Sequence, residues 1–183
     1  SQLIFRGHSV VAIGRDEDIA CSFEWYKQVE FICFDISSVH NNLIERLTQC
    51  DATIHLAWNG LPNYEELFHF EKNLFADYFF LKSLIKNGMK HLLVTGTCFE
   101  YGMKNGCLSE NTPTEPSNPY ALAKDTLHKF LVTMQQKELF TLQWARLFYI
   151  YGQGQGVNSL LSQLDQAIDN GDLSFNMSGG EQL

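Results

Sequence analysis

The stretch His91-Leu92-Leu93-Val94-Thr95 decides the fold. It is a short, nearly continuous apolar run, closed upstream by Gly88 and downstream by Gly96. A run of this kind reads as a strand buried on both faces, as in a parallel sheet. Both flanks carry helical patterns, over residues 64–87 with Gly88 as the stop, and from Pro119 to about Gln136. Strands that alternate with helices place those helices on the faces of a doubly wound α/β sheet.

The same alternation extends outward. Val10-Val11-Ala12-Ile13 predicts a strand ending at Gly14-Arg15-Asp16, and Phe31-Ile32-Cys33-Phe34 one ending at Asp35-Ile36. Thr53 to Ala57 and Thr141 to Leu147 complete the set. Residues 39–49 place Val39, Leu43, Ile44 and Leu47 at helical spacing. Residues 1–9 read as the tail of a helix capped at Gly7. Ser159 to Asn170 reads as an amphipathic helix ended by Gly171, and Leu173 to Met177 as a short strand. The alternation weakens near Tyr149–Gly156, so residues 1–150 are expected to form one α/β domain and residues 151–183 to begin a smaller lobe. The chain opens on a helix tail and ends where a further element is due. A fragment is therefore expected, with its first strand lying before Ser1.

Composition excludes several classes. The 183 residues are 45% hydrophobic and 19% charged, ordinary for a globular protein with one sizeable core. A net charge of −8 with no basic block argues against nucleic acid and against an electrostatic membrane anchor. No apolar run approaches the roughly 20 residues of a transmembrane helix. Five scattered cysteines and no CxxC suit a reduced, cytoplasmic protein. Neither they nor the six histidines show metal-ligand spacing.

Chemistry is expected at the carboxyl ends of the strands, where doubly wound sheets bind ligands. In Pro119-Tyr120-Ala121-Leu122-Ala123-Lys124, a phenol and an ammonium sit one helical turn apart on one face. A cation there would favour the phenolate and depress the Tyr120 pKa. A dinucleotide fold also needs a glycine-rich turn after its first strand and a ribose-reading residue at the end of its second. Gly14-Arg15 stands at such an end, which places the glycine turn before Ser1. The Gly152, Gly154 and Gly156 run has neither the spacing nor the position of that turn. Arg15 suits a 2′-phosphate, which leans to NADP over NAD, while Asp16 could reach a ribose hydroxyl.

Three segments carry a resemblance: Val94-Thr95-Gly96-Thr97-Cys98-Phe99-Glu100-Tyr101-Gly102, Asn118 to Lys124, and Arg146-Leu147-Phe148-Tyr149-Ile150-Tyr151-Gly152. Together with Gly7-His8-Ser9-Val10-Val11, Asp35-Ile36 and His55-Leu56-Ala57, they resemble the extended short-chain dehydrogenase/reductases, the NAD-dependent epimerase/dehydratase family acting on nucleotide sugars. The resemblance implies a Rossmann-type NAD(P)-binding domain over 1–150 and the start of a substrate lobe over 151–183. It implies Thr97, Tyr120 and Lys124 as the catalytic set. Thr97 would bond the substrate oxygen, Tyr120 would pass its proton, and Lys124 would hold the nicotinamide ribose. It also implies Asp35 and Ile36 at the adenine, Ala57 near the pyrophosphate and ribose, and Tyr149 in the nicotinamide pocket. A homodimer would pair the helices 64–87 and 120–136, with Phe75, Tyr78, Phe79, Leu127, Phe130 and Leu131 as candidate apolar faces.

Departures from the family pattern narrow the reaction. Its sugar dehydratases carry an Asp-Glu pair directly after the catalytic Ser or Thr, whereas Cys98 and Phe99 stand here. A phenyl ring transfers no proton, so water elimination is disfavoured. Glu100 is one place late and is expected to point elsewhere. Cys98 borders the substrate as either a tuned thiol or an inert one. Oxidoreduction of a 4-keto or 4-hydroxy group remains, with 4-epimerisation as the alternative and a non-catalytic NADP-binding regulator as the rival of another class. Asn158 and Ser159 either meet the diphosphate at a helix N-terminus or cap that helix. Trp58 and Tyr64 either border the sugar or pack in the core.

Overall fold

A computed structural model describes residues 2–38, 41–152 and 156–176. Parallel strands form the centre. β1 (Val11–Gly14) pairs with β2 (Glu30–Cys33), Val11 opposite Glu30. β3 (Thr53–His55), β4 (His91–Thr97) and β5 (Thr141–Leu147) form a second sheet in that order, with Thr97 opposite Leu147. Among the described residues no ladder joins the two sheets. Beyond their carboxyl ends, Arg15 Nη2 after β1 donates to Asn59 Oδ1 after β3 at 3.1 Å. The alternation that predicted an α/β parallel fold is thus present. Burial on both faces holds for β4 but not for β3, an edge strand whose Ile54 is exposed along with Leu56 just beyond it.

Helices cover the sheet: α1 (Gln2–Phe5), α2 (Glu17–Cys21), α3 (Asn41–Leu47), α4 (Leu74–Lys86), α5 (Pro119–Met134) and α6 (Leu160–Asp169). Their starts are written locally. Asp16 accepts from Ile19 N–H at 2.9 Å to cap α2, and Ser159 accepts from Ser162 N–H to cap α6. Asn118 accepts from Ala121 N–H at 2.8 Å with Pro119 at the first helical position, so α5 is fixed at its beginning. The core lies where α4 and α5 meet β4: Leu81, Leu84, Leu127, Leu131 and Val94 are fully buried there.

Several expected boundaries differ. The helix expected over 64–87 is broken: residues 64–67 form turns, His69–Asn73 a π-helical turn, and the long α-helix is Leu74–Lys86. The wider turn lets His69 and Asn73 point inward and bond the preceding loop. The α2 helix and the 3-10 turn Glu24–Gln28, which fill the connection from β1 to β2, lacked an apolar period in the sequence. Residues 173–176 form no strand, and Met177, Val39 and Gly154 lie outside the described residues. Leu127 and Leu131 belong to the core rather than to a free face, because they are the α5 side chains aimed at the sheet. Among the described residues, no helix is long and apolar enough to cross a membrane.

Candidate active site

Thr97 is the last residue of β4, and the chain turns sharply after it. The turn Cys98–Tyr101 is held by Thr97 at both ends. Its hydroxyl accepts from Phe99 N–H at 3.3 Å, and its own N–H donates to the Glu100 carboxylate at 2.8 Å. This capping pair fixes the direction of the Thr97 hydroxyl. That hydroxyl lies close enough to the Tyr120 phenol and to the Cys98 thiol to favour the ionised form of each.

Glu100 therefore points inward, as its late position in the motif suggested. It is fully buried, accepts from Arg146 Nε at 2.7 Å and from Trp144 Nε1 at 3.1 Å, and carries structure rather than chemistry. Burial raises its pKa, while the Thr97 N–H and Arg146 pull it back. Gly96 is required beside it, since a Cβ at that position would run into the Trp144 indole nitrogen and the Glu100 carboxylate.

Tyr120 stands in the first turn of α5, where its backbone N–H has no helical partner and donates instead to Tyr64 O at 3.1 Å. An aromatic wall closes around its ring, made of Tyr64 at 5.5 Å, His69 at 5.3 Å and Trp58 at 5.8 Å between centroids. Burial pushes the phenol up to about 12, opposed by the nearby Thr97 hydroxyl. The expectation that Lys124 depresses this pKa is not met. The Lys124 ammonium is turned to other partners, donating to Thr95 O at 2.8 Å and lying 4.1 Å from the centre of the Trp58 ring. Lys124 is itself buried, which pulls it down to about 8 against the support of Asp77 and Glu100. Burial also pushes the Cys98 thiol up, so it is the inert alternative that fits.

Sequence reasoning left Trp58 and Tyr64 undecided between pocket and core, and missed their holder. Trp58 Nε1 donates to His69 Nδ1 at 3.0 Å, and His69 Nε2 donates to Asn63 O at 2.8 Å. Asn73 Nδ2 donates to Asn59 O at 2.8 Å. These bonds tie the loop after β3 to the π-helical turn and so place Trp58 over Lys124. Two polar residues among the apolar positions of a presumed helix were the available signal.

The remaining predicted residues lie at strand ends around this set. Arg15 follows β1 and is exposed. Asp35 and Ile36 follow β2, where Asp35 accepts from Ser37 N–H at 2.9 Å and that hydrogen bond lowers its pKa. Ala57 follows β3 and is exposed. Tyr149 is 78% exposed and Asn158 is exposed as well, and neither joins the contacts around Tyr120 among the described residues. Ser159 acts as the α6 cap. The described residues hold no cluster of potential metal ligands.

The donor set has a defined chemistry. An ammonium has three donors, and one of them is given to Thr95 O. Those left over suit vicinal hydroxyls such as those of a ribose. The Thr97 and Tyr120 hydroxyls are neighbours, so one oxygen between them would be polarised and protonated together.

The profile of the "NAD dependent epimerase/dehydratase family" matches residues 1–183. A dTDP-6-deoxy-L-talose 4-dehydrogenase (NAD(+)) of Aggregatibacter actinomycetemcomitans is 31% identical over 185 residues, which takes in 100% of this chain and 67% of that protein. Among solved structures, the UDP-glucose 4-epimerase of Thermotoga maritima, determined with UDP-glucose, superposes with a TM-score of 0.79 at 18% identity, over 98% of this chain and 61% of its own. MoeE5 in complex with UDP-glucuronic acid and NAD gives 0.74 at 23% identity, over 91% of this chain and 55% of its own. At that identity the two solved structures speak for the fold alone.

Proposed function

The chain belongs to the NAD dependent epimerase/dehydratase family, and on that premise we propose that the protein carrying it is an NAD(P)-dependent oxidoreductase of a nucleotide-activated sugar, acting at C4. The observation that carries the reading is the junction of Thr97, Tyr120 and Lys124 at the carboxyl end of β4. A protein that only bound the cofactor as a regulator would have no use for the hydroxyl pair.

In this reading Lys124 holds the nicotinamide ribose. Asp35 and Ile36 face the adenine, and Ala57 and Tyr149 complete the cofactor side. The cofactor, when bound, supplies or takes up the hydride. Thr97 orients the sugar oxygen. Tyr120, with its pKa pushed up to about 12, is protonated at neutral pH and gives its proton to that oxygen as a carbonyl is reduced. The 31% identical relative is named for NAD(+), whereas Arg15 beyond β1 offers a guanidinium to a 2′-phosphate, and we keep the NADP preference as part of the proposal.

Two further parts belong to the same reading. A homodimer through α4 and α5 would cover Phe75, Phe79 and Phe130, which are exposed, with Tyr78 packed on Phe130. A cytoplasmic setting suits five free cysteines.

The test is a panel of nucleotide sugars and their 4-keto forms with purified full-length protein, followed by nicotinamide absorbance and product analysis. Stoichiometric cofactor consumption supports the dehydrogenase or reductase. Interconversion of two C4 epimers without net consumption supports the 4-epimerase, the second reading, which needs no group beyond Thr97, Tyr120 and Lys124 and a cofactor that stays bound. Binding of cofactor with no turnover on any sugar removes both.

A further inference from the structure

Lys124 is 1% exposed, so water does little to solvate its ammonium. On one side the ammonium donates to Thr95 O at 2.8 Å, and on another it lies over the Trp58 ring, 4.1 Å from the centre. A cation within about 6 Å of an indole centre is drawn to the negative face of the ring, more strongly where water is excluded. The same indole meets Tyr120 edge-on, at 5.8 Å between centroids and 68° between planes. One side chain from the loop after β3 thus touches both helix residues of the proposed set.

Core packing alone does not account for how this indole is held. Trp58 is half-buried and packs on the hydrophobic cluster, which any large apolar side chain could do. Its Nε1–H donates to His69 Nδ1 at 3.0 Å, and His69 Nε2 donates to Asn63 O at 2.8 Å. Asn73 Nδ2 reaches the same Nδ1 only at 3.4 Å. The two shorter bonds use both imidazole nitrogens and fix one tautomer, with its hydrogen on Nε2. His69 is 0% exposed, and its ring stacks on the indole with 21° between planes. A buried imidazole is tolerated only when its nitrogens are bonded. Here the bonds go to the indole and to the loop that carries it, so the angle of the indole is set.

We propose that Trp58, anchored by His69, is the π-face seat that fixes the direction in which the Lys124 ammonium offers its remaining donors to a cofactor ribose. Trp58 reaches no reacting atom in this scheme and acts through Lys124, so it is a positioning residue. The proposal rests on the reading of Lys124 as the ribose-holding group. With the indole gone, the ammonium keeps Thr95 O as an acceptor but loses the surface that orients its other hydrogens.

The test uses full-length protein and two measurements. In NMR spectra the Lys124 ε-methylene protons, identified by their loss in Lys124→Met, resonate upfield of the other lysines, because an aromatic ring shields what lies over its face. In Trp58→Leu that shift disappears. Kd for NAD or NADP, whichever binds the wild type more tightly, rises about tenfold in the same variant as a desolvated cation–π contact is lost. Trp58→Phe, which keeps a ring without the N–H, recovers part of both, a rescue that a merely structural role would not produce. If Trp58→Leu does not fold, fluorinated tryptophans placed at residue 58 keep the shape and the N–H donor while drawing charge from the ring face, and Kd rises with each added fluorine. An unshifted Lys124 signal in the wild type overturns the proposal, as does a Kd that is equal in wild type and Trp58→Leu, equally weak in the Leu and Phe variants, or indifferent to fluorination. Neither measurement needs a sugar. Cofactor binding that follows this pattern without turnover would therefore sink the enzymatic reading and leave this inference standing.

Discussion

Thr97 and Tyr120 come from different elements, the end of β4 and the start of α5, and the Thr97 hydroxyl lies close enough to the phenol to lower its pKa against the burial that raises it. The Thr97 oxygen is already an acceptor for Phe99 N–H, so its own hydrogen is left for a substrate oxygen, beside the phenolic hydrogen of Tyr120. Thr97→Val removes that arrangement at nearly constant volume. Turnover falls on the order of 10–100-fold as one hydrogen bond is lost from the reacting oxygen. Thr97→Ser restores most of it. Steady-state kinetics of the two variants decide the point, and equal activity of Val and Ser would remove Thr97 from the mechanism.

Tyr120→Phe tests the proton donor. The ring contacts with Trp58, Tyr64 and His69 are kept. Cofactor binding is retained while turnover drops about 10²–10⁴-fold, the usual share of a positioned general acid or base. Fluorescence titration of the cofactor beside a turnover assay separates the two effects. Loss of both together would mean that the phenol serves only the fold.

Stability should have a pH signature from the same helix. Lys124 titrates at about 8 in the fold against an ordinary value of 10.5. Between those values the unfolded chain holds a proton that the folded chain has released, so stability rises with pH across the window and is missing below 8. The gain is about 3 kcal/mol at most. Tyr120 works in the opposite direction and later, because its phenol is held up to about 12 against 10.0, and stability falls as pH passes from 10 to 12. Urea unfolding from pH 7 to about 10, below the Tyr120 window, should show the rise in the wild type and a flat curve in Lys124→Met. An equal slope in both would place the titration elsewhere.

The buried Glu100–Arg146 pair is expected to be the strongest single support of the site. Glu100→Ala strands Arg146 beside the Trp144 indole and frees the Thr97 N–H, and a broken buried pair costs about 3–5 kcal/mol. Gly96→Ala attacks the same place by collision with Trp144 and Glu100. Thermal denaturation of both variants checks this, and a melting temperature within a degree or so of wild type would contradict it.

What was legible in the sequence had a short-range cause. The β4 strand, the start of α5 at Asn118-Pro119 and the α6 cap at Ser159 follow from apolar runs and capping chemistry that act within a few residues. The candidate set of Thr97, Tyr120 and Lys124 followed from the family resemblance, whose motifs fall on one strand end and one helix start. The break at His69–Asn73 was not readable, since it depends on partners in the preceding loop, Trp58 with Asn63 and Asn59. The direction of the Tyr120 shift was missed for a related reason. Spacing of four residues puts Lys124 on the same face, but only the fold reveals that Thr95 O and the Trp58 ring take its ammonium while the phenol is desolvated.

Cys98 offers a last discrimination, between plain oxidoreduction and elimination. It occupies the place directly after Thr97 where a dehydratase needs a proton-transferring side chain, with Phe99 following it. Burial pushes its thiol above the ordinary range, so at neutral pH it is neither a thiolate base nor an acid of useful strength. Cys98→Ala should then keep cofactor turnover within about threefold of wild type, because neither hydride transfer nor the Tyr120 proton step draws on the thiol. Mass spectrometry of the products should show no loss of water from the sugar in either protein. A large drop in Cys98→Ala, or a dehydrated product that vanishes with it, would give the thiol a part in the reaction and reopen elimination at this site.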